Sequence, residues 1–127
     1  SDTSRVVRHW RAGPASPRSL KWGWMPPHPT LYVRRQRLAS IGLFDTQYRI
    51  AADYDMILRL MKGSDFKSRY IPEVLIKMRV GGVSNRSLKH LARKSAEDYR
   101  ALRRNGVGGI LALALKNLRK VHQFRLD

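Results

Sequence analysis

The sequence predicts an α/β fold, or α+β in a chain of this length. Three features predict this class: short segments rich in β-branched and aromatic residues, segments whose apolar residues recur at helical spacing, and turn residues between them. The 127 residues are enough for one domain with a core of its own.

The N-terminal third is predicted to run strand, loop, strand and helix. Residues 5–10 (RVVRHW) and 30–35 (TLYVRR) have strand composition. Residues 12–29 lie between them and are rich in proline, which excludes regular structure. Residues 36–42 (QRLASIG) predict a short helix that ends at a glycine.

The middle of the chain predicts a central helix followed by extended chain. Residues 53–63 carry apolar side chains at helical spacing, with Asp53 as the predicted N-cap and Gly63 as the end. Residues 66–80 (FKSRYIPEVLIKMRV) predict one or two strands, with Pro72 at a break or an edge.

Two C-terminal helices are predicted, at residues 88–106 and 110–124. In the first, one stripe of apolar and small side chains is predicted to face the core: Leu88, Leu91, Ala92, Ser95, Ala96, Tyr99 and Leu102. The second is predicted to pack through Leu111 and Leu115 and to turn a basic edge toward lipid phosphate, formed by Lys116, Arg119 and Lys120.

The charge is the most unusual property of the composition. Against 26 Lys and Arg stand nine Asp and Glu, a formal net charge of +17. Such a charge indicates partners and not a fold: nucleic acid, an anionic membrane surface or phosphorylated small molecules.

The absence of cysteine excludes disulfides and thiolate metal sites. No run of about 18 apolar residues is present that would span a bilayer, and the N-terminal residues lack the apolar core of a signal peptide. The chain is interpreted as a fragment of a longer protein.

Two carboxylates stand close together in the segment IAADYDMILRL, residues 50–60. Asp53 is either a helix N-cap or a general base at the open end of a helix. Asp55 is placed to pair with Arg59 at i,i+4. Two side chains at i,i+2 on a helix point in different directions, so a metal site built on this pair is disfavoured.

Two further segments carry candidate binding residues. His28 lies between prolines, which hold its backbone and would place the imidazole either in packing or at a cleft wall. The segment MRVGGVSNRS, residues 78–87, is either a strand and a turn before a helix cap at Asn85 or Ser87, or a phosphate-binding concavity. In the second interpretation Arg79 and Arg86 flank a turn rich in backbone N–H groups.

Taken in order, MPPHPTLYVRR, IGLFDTQYRIAADYDMILRLM and YIPEVLIKMRVGGVSN resemble the C-terminal half of a family 2 glycosyltransferase catalytic domain of the GT-A fold. The resemblance is greatest to bacterial enzymes that build surface polysaccharide, and GLFD followed by ADYDMILRL is its most specific part. It implies a partial GT-A fold with short strands, a central catalytic helix and two C-terminal helices. Residues 1–85 would form the acceptor-side half of the domain, and residues 86–127 a helical extension.

The resemblance also implies roles for individual residues. Asp53 matches the catalytic base that activates the acceptor hydroxyl in inverting transfer. The acceptor side would include His28, Thr30 and Asp55. The turn from Arg79 to Ser84 matches the loop that closes over the donor diphosphate. The metal-binding His found in some members of the family is replaced here by Gly81.

The resemblance implies a nucleotide-sugar donor and a glycan or lipid-linked acceptor, with Mg²⁺ or Mn²⁺ in the full-length enzyme. Nothing before Arg5 matches the nucleotide-binding half with its Asp-x-Asp, so the chain alone is expected to bind no metal and to be inactive. A cytoplasmic location, peripheral at the inner face of the membrane, is expected, and an anionic membrane surface is a candidate partner. The alternative is a small basic nucleic-acid-binding protein, which the charge favours but which the absence of a stacking platform or a recognition motif makes unlike the usual modules.

Overall fold

The fold is described here from a computed structural model, which covers residues 5–79 and 87–123. The elements in these residues are two 3-10 helices, Pro17–Trp22 and His28–Thr30, and four α-helices: α1 (Arg35–Ser40), α2 (Ala52–Met61), α3 (Leu88–Arg104) and α4 (Ile110–Val121). The four predicted α-helices are therefore confirmed, with ends that differ from the predicted ones by up to three residues.

The predicted α/β class, with its short GT-A strands, is wrong. The structure is 48% helix, and its described residues form no sheet. Residues 66–79, predicted as strand, contain no regular element and expose apolar side chains such as Ile71, Val74 and Met78. Strand composition does not make a strand unless a neighbouring strand supplies the hydrogen bonds, and the described chain brings none alongside.

Helices α1 and α3 end in the same hydrogen-bonded motif. After α3, Gly106 has φ of +63° and its N–H bonds the carbonyl of Arg103, while Val107 N–H bonds that of Leu102. Gly42 occupies the equivalent position after α1, with φ of +90°. A glycine is favoured there because a side chain is strained in left-handed backbone.

The core is built around α2. Ile57 and Leu58 are fully buried, and α2 packs against α3, which packs against α4. The 3-10 helix Pro17–Trp22 contacts α4 and contributes Leu20 to the same core. The core therefore includes residues from both predicted parts of the chain, residues 1–85 and residues 86–127.

The predicted core stripe of α3 is largely wrong. Leu88 is 85% exposed, and Leu91 and Tyr99 also face solvent, whereas Asp98, Ala101 and Leu102 are buried. The buried face of α3 is the one that meets α2 and α4. Asp98 can be buried on this face because Lys116 of α4 neutralises its charge.

The predicted orientation of α4 is wrong in the same way. Leu111 is 63% exposed, while Lys116 is only 3% exposed and therefore does not form part of a lipid-facing edge. Arg119 donates from Nε to the carbonyl of Trp22 at 2.8 Å. Within the residues described, no helix has the length and apolarity to cross a membrane.

Candidate functional site

A polar cleft of about 430 Å³ lies where the turn after α1 meets α2 and the end of α3. It is lined by Gly42, Phe44, Asp45, Thr46, Asp55, Arg59, Arg104 and Asn105. Of the predicted site residues that the structure describes, the lining includes Asp55 and none of Asp53, His28, Thr30 and Arg79.

Asp55 is a buried structural junction in this cleft. Its side chain accepts from Arg59 Nε on one oxygen and from Asn105 Nδ2 on the other, both at 2.9 Å. The predicted i,i+4 pair with Arg59 is confirmed. Because both oxygens are occupied, Asp55 joins α2 to the end of α3.

Arg59 extends this junction to the turn after α1. Its two terminal nitrogens donate to the backbone carbonyls of Ile41 and Leu43. Leu43 has φ of +60°, an uncommon conformation for a residue with a branched side chain. The guanidinium therefore holds a strained turn in place, and strain of this kind persists only where the surroundings enforce it.

Asp45, on the opposite wall, is also engaged. The backbone N–H of Gln47 donates to it at 2.9 Å and Arg104 pairs with it at 3.2 Å. The Gln47 N–H bond, helped by Arg104, lowers the pKa of Asp45 below its usual value. Asp45 and Asp55 are therefore both engaged with neighbouring donors, which suits a structural or binding role better than proton transfer.

Asp53 lies outside the cleft, in the first turn of α2. The predicted N-cap role of Asp53 is wrong. Ala51 is the N-cap residue of α2, and its side chain makes no capping hydrogen bond. Asp53 is half-buried, and its Oδ1 accepts from the adjacent Tyr54 N–H at 2.8 Å. It forms no ion pair with any residue of the described chain.

Glu97 of α3 holds the chain that leads into α2, without capping the helix itself. Its carboxylate accepts the backbone N–H groups of Arg49, Ile50 and Ala51 at 3.1, 2.8 and 2.9 Å. Burial is the strongest single influence and acts to raise the pKa of Glu97, but the three N–H donors and Arg93 outweigh it, and the pKa lies below its usual value. Sequence reasoning missed this contact because Glu97 lies 46 residues beyond Ala51.

His28 and Thr30 are not among the lining residues of the cleft. His28 packs edge-on against Phe44 with ring centroids 6.4 Å apart, and its Nδ1 is buried with no partner in the described structure. Thr30 Oγ1 donates to the carbonyl of Pro27 at 2.9 Å, a local turn contact. His28 therefore contacts a lining residue of the cleft, Phe44, without lining the cleft itself.

The predicted diphosphate loop is only partly described. Arg79 is exposed at the end of the extended segment, and Ser84 and Gly81 lie outside the described residues. The structure therefore does not bring Arg79 to the cleft.

A second group of charged residues was missed altogether. The carboxylate of Asp98 accepts from Lys116 Nζ at 2.5 Å and from Lys94 Nζ at 3.1 Å, and both bonds fall on the same oxygen. Lys116 Nζ also lies 4.2 Å from the centroid of the Tyr54 ring, a cation–π contact. The only sequence signal is that Lys116 follows Ala112 and Leu113 at helical spacing, on a face that would otherwise be apolar.

The described residues include no group of three or more His, Cys, Asp or Glu side chains able to hold a metal ion. The described residues therefore offer no fitting ligand set for the Mg²⁺ or Mn²⁺ expected in the full-length enzyme. No family model matches the chain, and comparisons with curated proteins and with solved structures find no match.

Proposed function

We propose that this chain contributes the acceptor-side residues of an inverting, nucleotide-sugar-dependent glycosyltransferase, with Asp53 as the catalytic base. The observation that carries the proposal is that Asp53 has no ion-pair partner among the described residues of a strongly basic protein, although its Oδ1 accepts the backbone N–H of Tyr54. The match of GLFD and ADYDMILRL to the glycosyltransferase motif supports the same residue.

Neighbouring acidic side chains are all engaged in structure. Asp55 is paired with Arg59, Asp98 with two lysines, and Glu97 with backbone N–H groups. Asp53 has no ion-pair partner in the described chain, although Lys and Arg outnumber acidic residues 26 to nine. A carboxylate that no cation occupies can accept a hydrogen bond from an acceptor hydroxyl, which is the geometry that a general base needs.

The position of Asp53 suits the same role. The first turn of a helix is rigid when the helix is buried, and α2 is the most buried helix of the structure. In the proposed step, the carboxylate of Asp53 accepts the proton of an acceptor hydroxyl while that oxygen attacks the anomeric carbon of the donor. The bond from that carbon to the diphosphate oxygen breaks, and the nucleoside diphosphate leaves with the electron pair.

The remaining roles follow from the resemblance and are part of the proposal. His28 and Thr30 would lie toward the acceptor, and Arg79 and Ser84 toward the donor diphosphate. The partners would be a nucleotide-sugar donor and a glycan or lipid-linked acceptor.

The test is sugar transfer by the intact protein that carries this sequence, with a panel of labelled nucleotide sugars and a membrane extract as the source of acceptors. Asp53→Asn keeps the shape of the side chain and removes its basicity, so turnover should fall at least about 100-fold. Glu73→Gln is the matched control, because Glu73 is an exposed acid without an ion pair among the described residues and should be dispensable. Equal activity of the two variants would rule out Asp53 as the base.

Nucleic-acid binding is the second candidate, and the net charge of +17 is the observation that favours it. When binding depends on phosphate contacts alone, the logarithm of the binding constant falls steeply and linearly with the logarithm of the salt concentration. Tight binding to duplex DNA with that salt dependence, together with no transfer from any nucleotide sugar, would favour this candidate over the transferase.

A further inference from the structure

A second pocket, of about 420 Å³, shares no lining residue with the cleft. Three segments form it: residues 9–12, the turn of residues 23–25, and the last two turns of α4 with the residues that follow them. Its volume falls within the usual range of small-ligand sites, about 300–1,000 Å³. The charged or ring-bearing side chains in its wall are His9, Trp10, Arg11, Trp24, Lys116, Arg119, Lys120 and His122.

The charged side chains of this pocket are all cationic, and they lie beside apolar surface from Trp10, Trp24 and Met25. The wall contains two lysines and two arginines, while no carboxylate belongs to the described lining. The carboxylate of Asp98 accepts hydrogen bonds from both Lys116 and Lys94. Lys120 also lies close enough to interact with its charge, so one carboxylate serves three lysines. The local charge is therefore only partly neutralised.

Burial makes this arrangement costly for the free protein. Burial first, and then the nearby Lys94 and Lys116, lower the pKa of Lys120 to about 8. Burial likewise lowers the pKa of Lys116 to about 8, against the attraction of Asp98. An anion between these ammonium groups would stabilise their charged forms.

The walls are held together before any ligand arrives. Trp24 Nε1 donates to the carbonyl of Ala12 at 2.7 Å, which joins two of the three segments. Arg119 Nε donates to Trp22 at 2.8 Å, which joins the 3-10 helix to α4. The two terminal nitrogens of Arg119 make no hydrogen bond within the described residues, so they remain available to a ligand. A site whose segments are already ordered loses little conformational entropy on binding.

We propose that this pocket is a binding site for a phosphate-bearing anion, such as a diphosphate or a phosphomonoester. Lysine ammonium groups bind phosphate as point charges, and an arginine can bind two phosphate oxygens at once. Trp10 and Trp24 provide flat apolar surface beside the charges, which suits a phosphate attached to an organic group. The proposal does not depend on Asp53 or on glycosyl transfer, since none of the predicted site residues lines this pocket.

The first test is isothermal titration of the full chain with inorganic pyrophosphate near neutral pH and at about 0.15 M salt, where the Debye length is about 8 Å. Lys120→Gln and Arg119→Gln should each weaken binding about tenfold or more, as expected for the loss of one charge-assisted hydrogen bond. Lys89→Gln and Arg18→Gln are matched controls, because they remove the same charges from exposed positions outside the pocket. The controls should bind within about twofold of the unchanged chain, since distant surface charges are screened.

Melting curves of the four variants show whether misfolding causes any loss of affinity. Lys116 is not substituted, because its side chain is buried in an ion pair with Asp98. The proposal is overturned if the unchanged chain does not bind pyrophosphate, or if pocket and control variants lose affinity alike. The second result would mean that affinity follows net charge, and duplex DNA binding that weakens equally in all four variants would lead to the same conclusion.

A second experiment identifies the source of the phosphate. The chain is sedimented with phosphatidylcholine vesicles that either contain or lack phosphatidic acid. If Lys120→Gln releases the chain from the acidic vesicles and Lys89→Gln does not, the pocket holds a lipid headgroup. If the vesicle result is the same for both variants while pyrophosphate binding still depends on Lys120, the pocket holds a free phosphoester.

Discussion

The ion pair between Asp98 and Lys116 offers the most direct test of how α3 and α4 are held together. Asp98 is 2% exposed, Lys116 is 3% exposed, and the bonded atoms lie 2.5 Å apart. Asp98→Asn keeps the size of the side chain but leaves the ammonium of Lys116 buried without its counter-charge. Removing one partner of a buried pair costs about 3–5 kcal/mol of unfolding free energy. That is a large part of the roughly 5–15 kcal/mol by which domains are stable.

The assay is urea unfolding followed by circular dichroism near neutral pH. Asp65→Asn is the control, because its partner Arg37 lies at 2.8 Å but the Asp65 side chain is 68% exposed. An exposed pair contributes at most about 1 kcal/mol. If both variants lose the same free energy, the buried pair does not hold α3 and α4 together and the reasoning fails.

Two additional measurements separate the lost charge from lost packing. The penalty of Asp98→Asn should shrink as the pH rises above about 8, the pKa of Lys116 in the unchanged chain, because the folded chain then holds this lysine neutral with or without Asp98. The double variant Asp98→Leu with Lys116→Met should recover most of the lost stability, since apolar side chains of similar volume replace many buried pairs without loss. A double variant as unstable as Asp98→Asn would point to shape and not to charge.

The remaining predictions concern close packing, the chain before α2 and pH. Gly23→Ala should cost about 1–3 kcal/mol more unfolding free energy than Gly13→Ala. Both glycines have φ of +76°, but a Cβ at Gly23 would lie 2.2 Å from the backbone nitrogen of Lys116, whereas Gly13 has nothing within 4 Å. Glu97→Ala should lower the unfolding free energy by about 1–2 kcal/mol in the same assay, because the segment before α2 loses its acceptor. Stability should rise with pH from about 8 toward 10, because Lys116 and Lys120 release protons in the folded state while the unfolded chain, with ordinary lysine pKa values, still holds them.

Each of these has a result that would contradict it. Equal losses for the two glycine variants would show that the turn is free to move away from α4. Glu73→Ala serves as the control for Glu97→Ala, and a similar effect of both would mean that Glu97 does not hold the chain before α2. A flat or falling stability between pH 8 and 10 would mean that the lysines are not buried; above about pH 10 a fall is expected, because burial raises the pKa of Tyr54 and only the unfolded chain then ionises.

The sequence by itself determined where the helices are. Apolar residues at helical spacing, together with terminal glycines at Gly42 and Gly106, are local signals, and the hydrogen bonds of a helix and of its glycine end are made within a few residues. The pairing of Asp55 with Arg59 was predictable for the same reason, because i,i+4 side chains on one helix are neighbours wherever the helix lies.

The tertiary structure alone decided what the helices face and whether extended segments become strands. Residues 66–79 have strand composition, but the hydrogen bonds of a strand come from another segment, and none lies beside them in the described chain. Asp98 can be buried because packing supplies a partner for its charge, Lys116 of α4. Leu88, which the helical spacing assigned to the core, is exposed. The contact of Glu97 with the chain before α2 joins residues far apart in sequence, and so does the gathering of basic side chains around the second pocket. No local pattern can reveal contacts of this kind.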